Sequence, residues 1–313
     1  MKRVIVLAFA LGLSGCDDQI NADSVQGFNL SKPLEFTVHT FSTPLTEGGS
    51  AINGTAANGI ASADAAYCFL NRVSGDFAGA AEGVRLTNAG GKWSLTGQAQ
   101  SNGVSAQAVC VPKYSFAMKD DKKPSLIAAV SNNAWNTGCE VQSAPTGAGA
   151  GKAFFISGLK GGWDGGGEGL AVSAASFHVR GCSGGAGGFV SSYVLRPDGG
   201  AVRYWTPSGP TTNADVATLS LQVETPAAPG WWDAFMSGPA TSGAGPPPPR
   251  QLAPVNEAVC GLVGVSGKFR GSGEFVEVLP QGGHWVLRIG NLQDNGFVNA
   301  AARCVLREQR DPA

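Results

Sequence analysis

Three glutamates at matching places in the chain carry the chemistry that is easiest to name. Glu82, Glu168 and Glu274 each follow a glycine-rich stretch and precede apolar residues. By the two-residue period of a strand, Glu82 shares a face with Val84 and Leu86, so its carboxylate needs a partner. Backbone N–H groups of the glycine-rich turn or an arginine would fill a structural role, and calcium or a sugar a functional one. Acid/base catalysis would need a second carboxylate, and none recurs beside them.

Cysteine is the second residue type with a readable pattern. Six of the seven cysteines lie beyond the N-terminal region, and none belongs to a C-x-x-C pair, which argues against zinc or a redox dithiol. Six cysteines allow fifteen pairings, but successive pairs are 42, 43 and 44 positions apart. No cofactor or metal site is expected. The regular spacing favours three disulfides, namely Cys68–Cys110, Cys139–Cys182 and Cys260–Cys304.

The tryptophans fall into two groups. Trp93 and Trp285 alternate in phase with leucine, which favours packing in the core. Trp231 and Trp232 are adjacent in a Pro/Gly/Ala-rich stretch, so an extended chain cannot point both into one core. We expect this pair either to dock onto another part of the protein or to form an exposed binding patch.

Sequence signatures of catalysis are missing. His39, His178 and His284 are isolated and form no H-E-x-x-H or His/Cys cluster. No G-x-S-x-G elbow occurs, and no free thiol is expected outside the N-terminal region. We therefore expect a protein that is not an enzyme.

The first sixteen residues are typical of an export signal. Lys2 and Arg3 precede an apolar run at positions 4–13, which is too short to span a bilayer. Leu13-Ser14-Gly15-Cys16 resembles the bacterial lipobox. This resemblance implies a signal peptide at 1–15, acylation of Cys16 and a lipidated tether at 16–27. The expected location is the bacterial cell envelope, anchored to a membrane and facing the periplasm or the exterior.

An internal repeat organises the rest of the chain. Residues 68–95 and 260–287 align without a gap and share thirteen of 28 residues. We place two clear copies at 66–112 and within 257–313. A degenerate copy at 152–197 has Phe154 and Val194 where the outer copies have cysteines. In that register, Cys139–Cys182 would tie the preceding segment to the middle of the module.

Short strands explain the periodicity inside a copy. Apolar and polar residues alternate, and glycine pairs such as Gly90-Gly91 supply turns. Four strands are predicted near 69–73, 82–87, 92–97 and 104–110, in up-and-down order. That order brings Cys68 and Cys110 to one end of the sheet. The expected fold class is all-β and antiparallel, built from disulfide-bounded modules of about 45 residues.

Composition and domain boundaries complete the prediction. Only 14% of residues are charged and the net charge is −1, so no basic surface is expected to bind nucleic acid. We expect a first β domain at 28–125, a second at 126–225, a Pro/Gly-rich linker at 226–256 and the last copy at 257–313.

The repeat also carries a weak family resemblance. The pattern V-S-G-x-F-x-G-x-x-E-x-V, followed by G-G-x-W-x-L, resembles Gly-rich β modules of phage tail-fibre and bacterial surface proteins. This resemblance implies a non-catalytic surface, adhesion or binding module that contacts a glycan or an envelope protein, and it names no ligand. Two alternatives stay open: a structural component of an envelope or phage-related assembly, and an extracytoplasmic hydrolase with a site between modules.

Overall fold

The computed structural model describes residues 34–42, 52–53, 57–99, 103–116, 126–127, 142–146, 149, 151–164, 168–181, 185–196, 199–221, 246–290 and 297–307. Within these residues the regular elements are β-strands and one 3₁₀ turn, Lys113–Phe116. All the strand pairs are antiparallel. The predicted all-β, antiparallel fold class is confirmed.

The first part of the described chain forms seven strands. Val84 and Leu86 are fully buried and Arg85 is not, as the alternating pattern predicts. Gly90 and Gly91 have φ values of 58° and 75°, the left-handed conformation that a two-residue hairpin turn requires. The strands are β1 (Thr37–Ser42), β2 (Ile52–Asn53), β3 (Ala57–Ser62), β4 (Ala66–Asp76), β5 (Gly83–Ala89), β6 (Lys92–Ala99) and β7 (Val104–Pro112).

The middle and last parts form six strands each. Those of the middle part are β8 (Leu126–Ile127), β9 (Gln142–Pro145), β10 (Lys152–Lys160), β11 (Gly169–Val172), β12 (Ser176–Arg180) and β13 (Gly187–Val194). Those of the last part are β14 (Leu219–Leu221), β15 (Arg250–Pro254), β16 (Ala258–Lys268), β17 (Arg270–Gln281), β18 (His284–Gly290) and β19 (Phe297–Leu306). We call β4–β7, β10–β13 and β16–β19 the first, middle and last units.

The strands form three sheets. Sheet A has the order β1-β7-β4-β17-β18-β15, and sheet C has the order β14-β19-β16-β11-β12-β9. Sheet B has the order β2-β6-β5-β10-β13-β8, with β3 also paired to β6. Each sheet therefore takes strands from two different units.

The predicted up-and-down order within a copy is wrong. In the first unit β4 pairs with β7 and β5 pairs with β6, but the two pairs lie in sheets A and B respectively. The pattern of alternating residues is the same for a strand pairing with either neighbour, so local sequence does not distinguish the two arrangements. The first and fourth strands still end side by side, as the disulfide requires.

Strand exchange between units closes into a cycle. The second strand of each unit pairs with the first strand of the next: β5 with β10, β11 with β16, and β17 with β4. The pairing of first and fourth strands shifts register at the same place in all three units, between Leu70 and Arg72, Ile156 and Gly158, and Leu262 and Gly264. The three units thus occupy equivalent positions.

This equivalence corrects the predicted alignment of the middle copy. Cys68 pairs with Cys110 and Cys260 with Cys304, whereas Phe154 pairs with Ser192. Phe154 therefore lies where the other units have their first cysteine, as predicted. The second position is Ser192 and not Val194, because the fourth strand of the middle unit is offset by two residues.

A ring of three aromatic residues joins the units. The N–H of Trp163 donates to the carbonyl of Phe77 at 2.6 Å, that of Phe269 to Trp163 at 2.7 Å, and that of Phe77 to Phe269 at 3.1 Å. All three side chains are completely buried. The Phe269 ring contacts Phe77 and Trp163 edge-on, with centroids 5.6 and 6.1 Å apart. Each unit thus supplies one of the three buried aromatic residues at which the units meet.

Trp93 and Trp285 are fully buried, which confirms their predicted core packing. Their indole N–H groups donate to the carbonyls of Ala66 and Ala258, at 2.9 and 2.8 Å. The Tyr193 ring stacks on Trp93 and on Phe69, with centroids 6.1 and 4.7 Å apart. Burial raises the pKa of the Tyr193 hydroxyl, which therefore stays a hydrogen-bond donor.

Two of the three predicted disulfides are present. Cys68 is bonded to Cys110 and Cys260 to Cys304, each linking the first and fourth strands of one unit. The predicted Cys139–Cys182 bridge lies outside the described residues.

Replacing Cys68 and Cys110 with alanine is expected to lower the free energy of unfolding by about 4 kcal/mol. The bond closes a loop of 42 positions, and the chain-entropy model gives that value for its release in the unfolded state. Urea denaturation measures the loss. The equivalent Cys260→Ala and Cys304→Ala variant should lose a similar amount, and a change below about 1 kcal/mol in both would contradict the role of the bridges.

Strand pairing crosses the predicted domain boundaries. Sheet A joins β4, from residues 28–125, to β17, from residues 257–313. Sheet C joins β11, from residues 126–225, to β16. Strand β15 lies inside the stretch predicted as a linker at 226–256 and pairs with β18. The three sequence segments are therefore interlocked in space.

Candidate functional site

The three recurring glutamates are buried, and two of them lie beside the glycines that precede them. Glu82, Glu168 and Glu274 are 2%, 1% and 0% exposed. A Cβ atom built on Gly79 would lie 3.1 Å from a carboxylate oxygen of Glu82, and one built on Gly271 would lie 3.3 Å from Glu274. The carboxylates therefore lie against glycines that leave room for them.

Two of these glutamates link the units through their backbones. Gly161 donates to the carbonyl of Glu82 at 2.8 Å, and Gly267 to that of Glu168 at 2.9 Å. Both carboxylate oxygens of Glu274 lack a hydrogen-bond partner among the described residues. No group of three metal-ligating side chains occurs in the described part of the chain. The predicted calcium or sugar role of these glutamates stays a prediction.

Other predicted site residues cannot be placed. Cys16, Trp231 and Trp232 lie outside the described residues, like Cys139 and Cys182. Their predicted roles in lipidation, binding and disulfide formation stay predictions.

In each sheet, two units meet where the second strand of one pairs with the first strand of the next. At this place four directly paired residues lie side by side on four neighbouring strands, and we call these four residues a meeting row. The strands are the third and second of one unit, followed by the first and fourth of the next. Directly paired residues point to the same face of a sheet. The rows are Arg288-Glu277-Arg72-Gln107 in sheet A, Thr96-Arg85-Gly158-Phe189 in sheet B and His178-Ala171-Gly264-Ala301 in sheet C.

In sheet A the meeting row contains its own counter-ion. Glu277 accepts from Arg72 Nη1 at 2.5 Å and from Arg288 Nε at 2.5 Å, one on each carboxylate oxygen. Its side chain is 1% exposed. One carboxylate thus bridges two guanidinium groups that come from the two neighbouring strands.

The meeting row of sheet C carries no such cluster. Ala171 and Gly264 take the two central positions. His178 is buried, and its Nε2 lies 2.9 Å from Ser176 Oγ within the same strand. This row packs and presents no ionic group at its centre.

Sheet B has cations where sheet A has its carboxylate. Arg85 takes the position of Glu277, and its guanidinium carbon lies 4.0 Å from the centre of the Phe189 ring. Lys160 lies on β10, two residues after Gly158 of the row, and its Nζ is 5.8 Å from the centre of the same ring. The equivalents of Lys160 in the other units are Ser74 and Ser266. Arg85 of this row and Lys160 beside it therefore place two positive charges around one aromatic ring.

Gly158 makes this arrangement possible. It lies between Arg85 and Phe189 in the meeting row. A Cβ atom built there would lie 2.5 Å from the carbonyl oxygen of Val84 and 2.9 Å from the Phe189 ring. Since such distances are too short for real contacts, a larger residue would push the arginine and the ring apart.

The two cations, Arg85 and Lys160, form no ion pair with any carboxylate in the described part of the chain. Burial lowers the pKa of the Arg85 guanidinium. Burial, and then the positive charge of Arg85, lower the pKa of the Lys160 amino group below its usual 10.5. Both shifts mark cations that an added anion would stabilise.

A cavity of about 410 Å³ opens over this group. Arg85, Lys160 and Phe189 form part of its wall, and Thr96 and Gln98 add neutral polar groups. Glu82 also lines it, so one of the recurring glutamates does border the site. The volume lies within the roughly 300–1,000 Å³ of small-molecule sites. We call this group the sheet B pocket.

A larger cavity of about 580 Å³ lies beside β1. Its charged groups include Glu35, Asp64 and Lys113, and each of these has a partner within the protein. Phe36 and several alanines line the rest. This cavity has no unneutralised cluster that would select a ligand.

No protein-family model, curated protein or solved structure matches this chain. The described residues contain no helix with the length and apolar character needed to cross a membrane. The charge and geometry of the sheet B pocket are therefore the features of this protein that indicate a function.

Sequence reasoning did not single out Arg85, Lys160 or Phe189. One signal was present: in the gapless alignment of the outer copies, Arg85 faces Glu277, a reversal of charge at one strand position. Its meaning depends on Lys160 and Phe189, which belong to another unit. Only the exchange of strands brings those residues to Arg85.

Proposed function

We propose that this protein is a lipid-anchored extracytoplasmic module that binds, without catalysis, an anionic group of a glycan or protein of the cell envelope. The observation that carries the proposal is the sheet B pocket, where Arg85 and Lys160 both lie against the Phe189 ring and have no counter-ion among the residues that the structure describes. An anion that enters the pocket gains two charge-assisted contacts, which are stronger than neutral hydrogen bonds.

Two features support an address outside the cytoplasm. The lipobox-like Leu13-Ser14-Gly15-Cys16 is the first. The two disulfides are the second, since such bonds form and persist mainly in oxidising compartments. Peptide mapping of the unreduced, exported protein by mass spectrometry tests this part. Acylated Cys16 is expected, and an unmodified Cys16 on an uncleaved chain would contradict it.

The polar groups of the pocket suit binding. Arginine and lysine attract anions, and the hydroxyl and amide of Thr96 and Gln98 exchange hydrogen bonds with a polar ligand. The single carboxylate in the lining, Glu82, is buried beside its own turn. Hydrolysis of a glycosidic bond would need a pair of carboxylates across the cleft. The proposal is therefore a binding role.

Arg85→Gln and Lys160→Gln are each expected to weaken anion binding about 10- to 100-fold, the value of one lost charge-assisted contact. The exported full chain, held in non-ionic detergent, is passed over surfaces of dextran sulfate, polyphosphate, polygalacturonate, polyglutamate and neutral dextran. Surface plasmon resonance measures retention. The wild type should bind at least one anionic surface, and the variants should lose that binding.

Lys92→Gln is the matched control. Lys92 is exposed on β6 of the same sheet and lies outside the pocket lining, so its loss removes one positive charge from the same sheet but not from the pocket. Binding by this variant should stay within about twofold of the wild type. Equal loss in Lys92→Gln, or no anionic retention above neutral dextran, would overturn the proposal. Thermal midpoints of the two pocket variants should be unchanged or higher, since removing an uncompensated cation relieves repulsion.

A further inference from the structure

We infer that the sheet B pocket recognises the carboxylate of an acidic saccharide, held by Arg85 and Lys160 in the manner in which sheet A holds Glu277. This inference rests on the proposed function and names the ligand class of the same site. Because the meeting rows are equivalent, the way in which sheet A binds a carboxylate indicates how sheet B can bind one.

The internal ion pair of sheet A shows what this level of the fold accommodates. Glu277 lies between Arg72 and Arg288 and meets one guanidinium with each oxygen. In sheet B the central position holds Arg85, and the second cation, Lys160, comes from the neighbouring strand. In sheet A, a carboxylate of the protein binds both arginines. In sheet B, no carboxylate among the described residues forms an ion pair with Arg85 or Lys160, so a carboxylate of a ligand can take that place.

The aromatic ring prepares Arg85 for a planar ligand. The guanidinium carbon of Arg85 lies 4.0 Å from the centre of the Phe189 ring, so the ring supports the flat guanidinium from one side. A guanidinium offers paired N–H donors at its rim, and a carboxylate accepts them with two oxygens. Because Gly158 has no side chain, nothing on β10 stands between the arginine and the ring.

The rest of the lining favours a ligand that also carries hydroxyl groups. Thr96 and Gln98 offer neutral donors and acceptors on β6, and the buried Glu82 also borders the pocket. Ligand hydroxyls can exchange hydrogen bonds with Thr96 and Gln98, and the negative charge of Glu82 would repel a phosphate dianion about twice as strongly as a singly charged carboxylate. One carboxylate surrounded by hydroxyls is the chemistry of a uronic acid.

The first measurement is titration calorimetry of the full chain with trigalacturonate. Neutral galactotriose, glucose 6-phosphate and a triglutamate peptide serve as comparison probes. Trigalacturonate should bind at least 10-fold more tightly than each of the other three. If the phosphorylated sugar or the acidic peptide binds best and the binding needs Arg85, the ligand class is wrong while the proposed anion-binding function stands. If none of the charged probes or the anionic surfaces binds, both fail.

A carboxylate placed inside the pocket gives an independent test. Thr96 is paired directly with Arg85, so Thr96→Glu should reach the guanidinium and reproduce the internal ion pair of sheet A. We expect this variant to lose trigalacturonate binding at least 10-fold while its thermal midpoint is unchanged or higher. Thr96→Gln, of the same size without the charge, should bind trigalacturonate at least fivefold more tightly than Thr96→Glu. Equal loss in both variants would overturn the inference, since size and not charge would then be responsible.

Discussion

Trp163→Ala is expected to lower the free energy of unfolding by about 3–5 kcal/mol, the cost of emptying a large buried aromatic site. Trp163 is completely buried and its ring contacts Phe269. It belongs to the ring of backbone hydrogen bonds that joins the three units. The cavity would therefore lie where all three units meet, and little in one unit can move to fill it. Urea denaturation followed by circular dichroism measures the loss.

Trp163→Phe is the matched control. The equivalent positions in the outer units are Phe77 and Phe269, so phenylalanine suits this ring of residues. We expect this variant to lose about 1–2 kcal/mol, well below the alanine variant. If both substitutions cost less than about 1 kcal/mol, the ring would not be the shared core that the structure indicates.

Removing residues 246–313 is expected to abolish cooperative unfolding of the remaining chain. This truncation deletes β17, the partner of β4 in sheet A, and β16, the partner of β11 in sheet C. The exposed strands would present unpaired N–H and C=O groups and apolar faces to water. Urea denaturation and near-ultraviolet circular dichroism of the purified fragment measure the outcome.

Two results would discriminate between this structure and a chain of self-sufficient modules. Independent modules would leave the fragment with a sharp transition and a proportionally smaller m-value. The interlocked arrangement predicts a broad transition and loss of near-ultraviolet signal. Removal of residues 308–313, which leaves every described strand in place, is the control and should keep the transition of the whole chain.

Much of the local structure was predictable because its causes are local. Alternation of Val84 and Leu86 with polar residues predicted a strand, and Gly90-Gly91 predicted its turn. The spacing of the cysteines predicted two bridges that the structure contains. In each of these cases the deciding interaction lies between residues within one copy of the repeat.

The pairing of strands between units was not predictable in the same way. A strand such as β5 has the same alternation of residues whether its second neighbour belongs to its own unit or to the next. The local pattern therefore predicts a series of modules and does not indicate the exchange of strands. The two-residue offset at Ser192 has no local signal either, because Phe154 and Ser192 stand where the outer units have cysteines.

By itself, the sequence determined the strand pattern, the turns, the repeat of the outer copies and the likeness of the N-terminus to an export signal, since all of these depend on neighbouring residues. The tertiary structure alone decided that Arg85 meets Lys160 and Phe189, residues more than seventy positions away. The physical reason is that backbone hydrogen bonds pair strands without regard to side chains. Which strands meet follows from closing three sheets around one core.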